Sequence, residues 1–170
     1  MRRLGVWLIL IAFARLSQAA VAGVDLHDYW DQRCKECHGH AGAFARRFLR
    51  VENGHLLGAH HQNDLDVFLR NHYLADALVA PVSAMLIAQV ATSPLYGEKC
   101  ARCHASAADF VRKSLVVKNG VLVGVSSARN VADYLASHGG LGPAEVRTMV
   151  ETLTRVRNEV SAPPKVALTE

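Results

Sequence analysis

The stretches CKECH, Cys34 to His38, and CARCH, Cys100 to His104, hold all four cysteines of this 170-residue chain. Each spells two cysteines three positions apart with a histidine directly after the second. Working outward from these two stretches, the repetition continues. Stretch 34–72 lies over stretch 100–138 without a gap, and 14 of the 39 positions are identical. Phe44, Arg46, Leu49, Asn53, Gly54, Leu56, Gly58, Leu69 and His72 are among them, each with its identical partner in the later stretch. An ungapped match of this kind marks a tandem duplication of a unit of about 65 residues. Units of that size sit near the lower limit for a self-sufficient apolar core, and they usually carry a disulfide, metal or cofactor as a staple. Each copy has one cysteine pair to offer.

Both copies spell the same order of elements. DLHDYWDQRCKECH, from Asp25, and SPLYGEKCARCH, from Ser93, read as short helices running into the cysteines. In the second, Ser93 is the expected N-cap and Pro94 the first helical residue. A short helix is expected around Phe44 and around Phe110. FLRVENGHLLG (48–58) and SLVVKNGVLVG (114–124) each carry Asn-Gly between runs rich in Leu and Val. Asn and Gly tolerate the positive φ values of a two-residue type I′ turn, so each stretch predicts a β-hairpin. Leu65, Phe68, Leu69 and His72, and again Val131, Tyr134, Leu135 and His138, are spaced i, i+3, i+4, i+7, which predicts one apolar helix face per copy. A last helix is expected after Pro81 and after Pro143, the second with Val146, Met149, Val150 and Leu153 as its apolar stripe.

The spacing C-x-x-C-H reads as a covalent attachment site for c-type haem. Two thiols one helical turn apart suit the two vinyl groups on one porphyrin edge, and the next residue then places its imidazole under the ring. On this reading Cys34, Cys37 and His38 hold one haem through two thioethers and a proximal iron ligand, and Cys100, Cys103 and His104 hold the other. Two alternatives stand beside it. Four cysteines can make a zinc site, although zinc ribbons usually separate their pairs by roughly 15–20 residues, and 62 lie between Cys37 and Cys100. Each pair can also be a disulfide or redox dithiol, although no βαβ pattern surrounds it. Neither alternative accounts for the histidine after each pair.

LYGEKCARCH resembles the helix that opens class I cytochromes c, in which a glycine and an aromatic residue precede the haem motif. The motif likeness covers about a dozen residues in each copy, and the helical layout extends it loosely over both. It implies a mainly α fold, two tandem cytochrome c-like helical modules wrapped around haem, each here with a small β-hairpin, and a role as an electron carrier. The Asn-Gly hairpins depart from that family's common pattern, as does the lack of a methionine-bearing loop before the last helix.

The sixth iron position has two sets of candidates. The interval from His38 to His72 equals that from His104 to His138, whereas Met85 and Met149 stand at unequal intervals from the same proximal histidines and match only through a gap. The shared interval and the apolar stripe favour His72 and His138 as distal ligands, with Met149 as core packing and Met85 as its counterpart. Phe44, Phe110, Leu49 and Leu115 are expected against the porphyrin faces. Arg46 and Arg112 recur and read either as solvated arginines or as partners for haem propionates. His27, His40, His55, His60 and His61 have no counterpart histidine and read as surface residues.

The ends of the chain set its location. MRR followed by LGVWLILIAFA (Leu4 to Ala14) and small residues has the form of a secretory signal, and its apolar run is too short to span a bilayer. Without residues 1–22 the formal charge falls from +4 to +1, because Arg2, Arg3 and Arg15 leave with them. A net charge so near zero gives no support for nucleic-acid binding. The expected organisation is a signal peptide at 1–22, a first haem-binding module at 23–91, a second at 92–158, and a disordered tail at 159–170. The functional expectation is a periplasmic dihaem electron carrier, soluble once processed. Its partners would be redox proteins, a donor dehydrogenase and an acceptor reductase or oxidase. A peroxidase-like dihaem enzyme with one open site, or an electron-transfer subunit of a larger oxidoreductase, is the alternative.

Overall fold

The computed structural model describes residues 23–59 and 65–160. The expected signal peptide, His60 and His61, and residues 161–170 of the expected tail lie outside these. The described chain is mainly helical with two small antiparallel hairpins, in the order α1 (Leu26–Arg33), α2 (Lys35–His38), α3 (Ala41–Phe48), β1 (Leu49–Glu52), β2 (His55–Gly58), α4 (Leu65–Arg70) and α5 (Asp76–Ala91). A second series follows: α6 (Leu95–Lys99), α7 (Ala107–Ser114), β3 (Leu115–Lys118), β4 (Val121–Gly124), α8 (Val131–Leu135) and α9 (Pro143–Glu159). No helix among the described residues is long and apolar enough to cross a membrane.

The turn chemistry of the hairpins is as the sequence demands. Asn53 and Gly54 have φ of 51° and 81°, and Asn119 and Gly120 have 51° and 77°. Two successive positive φ values match the right-handed twist of the strands on either side. They fix the register Leu49↔Gly58 and Leu115↔Gly124, so Leu56 and Leu122 turn inward and are buried.

Each copy builds its own core. In the first, Trp30, Ala45, Leu56, Leu65, Leu69, Val79, Val82 and Leu86 pack together. In the second, Tyr96, Val111, Leu122, Val131, Leu135, Met149, Leu153 and Val156 do so. No buried residue belongs to both clusters. The copies meet along an edge through polar side chains. Arg112 of α7 donates from Nε and a terminal nitrogen to both carboxylate oxygens of Asp25, at 2.6 and 2.9 Å. Asp25 at the same time caps α1 by accepting from the Asp28 N–H at 2.8 Å. His27 Nε2 lies 2.7 Å from the Glu159 carboxylate, so this histidine is a half-buried bridge between the copies rather than the surface residue the sequence implied.

Several expected boundaries move. α6 is capped by Pro94 and starts at Leu95, one residue later than the Ser93 cap allows. α5 begins at Asp76 and carries Pro81 inside it, not at its start. Burial of Val79, ahead of the proline, as well as Val82 and Leu86 behind it, keeps the helix running through a residue that removes one of its hydrogen bonds. α9 continues through Glu159, and Val160 is buried in the second core, so these two residues belong to the fold and not to the tail.

Candidate functional site

Each copy closes its cysteine motif into one turn. The His38 N–H donates to the Cys34 carbonyl and the His104 N–H to the Cys100 carbonyl, both at 2.9 Å. The turn brings both thiols and the imidazole to one side, where each copy has an apolar cavity. The first, of about 710 Å³, is lined by Cys34, Cys37, His38, Phe44, Leu49, Phe68, Leu69 and His72. The second, of about 470 Å³, is lined by Cys100, Cys103, His104, Phe110, Leu115, Tyr134, Leu135 and His138. Both volumes fall in the range of about 300–1,000 Å³ usual for sites that take a cofactor-sized ligand. All eight cysteines and histidines singled out by the motifs and the repeat are therefore gathered, four to a cavity.

The side chains within the cavities repeat closely. The His38 and Phe44 rings are 4.7 Å apart, and those of His104 and Phe110 are 4.6 Å apart. His72 stacks on Phe68 at 4.7 Å and 25°, and His138 on Tyr134 at 4.7 Å and 26°. Across each cavity the two histidines face each other, with ring centroids 5.9 Å apart for His38 and His72 and 6.2 Å for His104 and His138. The interplanar angles are 61° and 62°.

His72 and His138 arrive by a different route from the one their spacing implies. α4 ends at Arg70 and α8 at Leu135; His72 and His138 follow in tight turns, donating from N–H to the carbonyls of Leu69 and Leu135. Only two members of each stripe are core. Leu65 and Leu69, like Val131 and Leu135, are buried, whereas Phe68 and Tyr134 keep 37% and 40% exposure because they stand at the cavity mouths.

The methionines separate. Met85 and Met149 are each 1% exposed, but only Met149 lines a histidine cavity. Met85 faces a groove bordered by Leu26 and Val150. The residues that take the places of Met149 and Leu153 in the first cavity are Val82 and Leu86, so Met85 is not the counterpart of Met149.

Ionisation states fit a ligand-binding pocket better than a redox dithiol. Burial holds the Cys34 thiol above its ordinary value; for Cys100, burial and then the neighbouring Cys103 do the same. A catalytic dithiol needs the opposite shift. Burial, with a contribution from His72, pushes His38 below 6.5, which keeps its imidazole neutral with a lone pair to donate. Among the described residues no group of three or more His, Cys, Asp or Glu is clustered to hold a metal unaided, and the two cysteine pairs line separate cavities.

One pair of residues escaped the sequence reading. The Trp30 indole N–H donates to the Gly39 carbonyl at 2.8 Å, and the Tyr96 hydroxyl donates to the Ala105 carbonyl at 3.0 Å. Gly39 and Ala105 directly follow the two motif histidines and so hold equivalent places in the repeat. Each aromatic side chain thus ties down the backbone that carries the histidine. The signal was present at equivalent positions, but the residue types differ. Arg112 is held by Asp25 and Asp109, and Arg46 lines neither histidine cavity. No family model matches the chain, and no characterised protein or solved structure is significantly similar to it.

Proposed function

We propose that the protein is an exported dihaem electron carrier built from two tandem cytochrome c-like modules. The observation that carries this reading is the facing pair of imidazoles, repeated in each copy across an apolar cavity with two thiols at its edge. An imidazole nitrogen lies about 2 Å from a metal it ligates and roughly 1 Å from its own ring centre, so two imidazoles on opposite sides of one metal have centroids about 6 Å apart. The distances of 5.9 and 6.2 Å fit that requirement.

A covalently held haem supplies a one-electron ferric–ferrous couple. Cys34 and Cys37, and Cys100 and Cys103, offer thiols for the thioether links. His38 and His72 would hold the iron of one haem, and His104 and His138 that of the other. Phe44, Leu49, Phe110 and Leu115 exclude water and lower the local dielectric, which biases the potential. With two histidines facing each other across each cavity, a haem held there would keep no position for substrate, and this supports a carrier over a peroxidase-like enzyme. The signal-like segment at 1–22 supports export, and redox proteins are the partners such a carrier serves.

The decisive experiment is His138→Ala in the exported protein. The parent should show two haems by intact mass and low-spin spectra only. The variant should show one high-spin haem that binds carbon monoxide, with the first haem unchanged. An unchanged spectrum in the variant, or a parent mass carrying zinc or no haem, overturns the proposal.

A further inference from the structure

Gln89 of α5 is a buried polar side chain: it is 9% exposed and, among the described residues, its amide has no hydrogen-bond partner. Burying an amide unpaired is unfavourable. No fully sealed side-chain nitrogen or oxygen among the described residues lacks a partner, so this amide must face open space. That space is a cleft of about 210 Å³ between the two copies, with Gln89 and Arg46 on one side and Arg155 and Thr152 on the other. Residue 42 leaves it open. A Cβ added at Gly42 would stand 2.9 Å from Gln89 Oε1 and 3.2 Å from a guanidinium nitrogen of Arg46.

The charges around the cleft are not balanced. Arg155 and His27 both lie 2.6–2.7 Å from Glu159, and Asp31 lies 3.5 Å from Lys35 Nζ. Arg46, by contrast, has no ion pair among the described residues, although its repeat counterpart Arg112 contacts two aspartates. The cleft therefore presents the exposed Arg46 guanidinium, without an ion pair among the described residues, close to the buried Gln89 amide, both beside Gly42.

We propose that this cleft binds a small free oxyanion of the phosphate class, held by the Arg46 guanidinium and the Gln89 amide where the two modules meet. A guanidinium offers parallel N–H donors that match a tetrahedral oxyanion, and Gln89 would add a further donor from Nε2, its Oε1 being the atom nearest Gly42. The volume is below that of cofactor-sized sites and suits an inorganic ion with its water. Chloride accepts donors from any direction but has no pair of oxygen atoms to match the guanidinium fork, so it should bind more weakly than phosphate. The site is independent of the haem reading, because none of the eight motif and repeat residues lines it.

The test uses the exported protein titrated with inorganic phosphate against chloride at constant ionic strength, followed by calorimetry and thermal unfolding. One phosphate per chain should bind and raise the unfolding temperature above that in chloride. Arg46→Gln and Gln89→Leu should each weaken binding by roughly tenfold or more, the loss of one charge-assisted hydrogen bond. Gln89→Leu should also leave the phosphate-free protein as stable as the parent or more so, because it removes an unpaired amide; a merely structural glutamine would lose stability. Gly42→Ala should weaken binding by filling the gap between the two groups. Equal unfolding temperatures in phosphate and chloride, or undiminished phosphate binding in both Arg46→Gln and Gln89→Leu, overturns the proposal.

Discussion

In the first module an indole N–H holds the carbonyl after the motif histidine; in the second a phenol hydroxyl does so from the equivalent position. Val82 and Leu86 close the first cavity where Met149 and Leu153 close the second. His72 stacks on a phenylalanine, whereas Tyr134 both stacks on His138 and brings its hydroxyl within 3.2 Å of its Nδ1. Around these exchanges the histidine–histidine separations differ by only a few tenths of an ångström. The two copies thus have different walls around nearly the same spacing of imidazoles. That pattern is what the proposed shared ligand would leave after duplication: cavity walls tolerate volume-conserving change, while ligating atoms do not.

The largest test of this comparison is to remove, from one copy alone, the thiols that the proposed function makes its staple. Replacing Cys100 and Cys103 with alanine should unfold the second module and leave the first largely folded, because no buried residue is common to the two cores. Circular dichroism should lose the helical signal of α6 to α9, and thermal unfolding should keep one transition for the first module. Full helicity with a single transition at the parental temperature would mean that the copies are one cooperative unit.

Next in size is Met149→Ala. A fully buried methionine truncated to alanine costs about 2–5 kcal/mol. The loss should fall on the second module alone and leave the axial-ligand spectrum unaltered. A methionine charge-transfer band in the parent that disappears in the variant would instead make Met149 a ligand, and the two copies would then differ in chemistry as well as in packing. Tyr96→Phe is milder. It removes the hydroxyl that fixes the Ala105 carbonyl and should cost about 0.5–1.5 kcal/mol in denaturant unfolding. Burial, then the neighbouring Cys100 and Asp109, raises the Tyr96 hydroxyl far above its ordinary value, so it stays a donor at every working pH.

These contrasts also show what the sequence could convey. The hairpins were legible because Asn-Gly has a stereochemical reason to turn, and the grouping of cysteines and histidines was legible because the repeat preserved their types and intervals. The Trp30 and Tyr96 anchors were not, since one role is filled by two residue types. Pro81 misled because a proline reads as a helix start, whereas burial on both sides of it decided otherwise. Met85 was matched to Met149 by residue type, but register places Val82 there. The Gln89 and Arg46 cleft depends on the docking of the copies, which periodicity within one copy does not reveal.

The smallest effect tests how the copies are joined. Asp25→Asn keeps the N-cap of α1, since asparagine caps as well as aspartate, and removes only the charge that meets Arg112. Exposed and half-exposed ion pairs are worth about 0.2–1 kcal/mol, so the cost at neutral pH should be in that range. Burial alone would raise the Asp25 carboxyl, but the Arg112 and Asp28 hydrogen bonds and the Arg112 charge outweigh it and hold it below 3.8. A carboxyl depressed on folding contributes stability above its unfolded value and loses it as pH falls through the folded one. Asp109, held down by the Ser106 hydroxyl and, against the effect of burial, by Arg112, follows the same sign. The difference in unfolding midpoint between parent and Asp25→Asn should therefore be constant from pH 5 to 8 (roughly, given an unfolded value near 3.9). It should close as the solution is acidified below 3.8. A difference that persists undiminished in strong acid would show that residue 25 acts through its cap and not through the bridge between the copies.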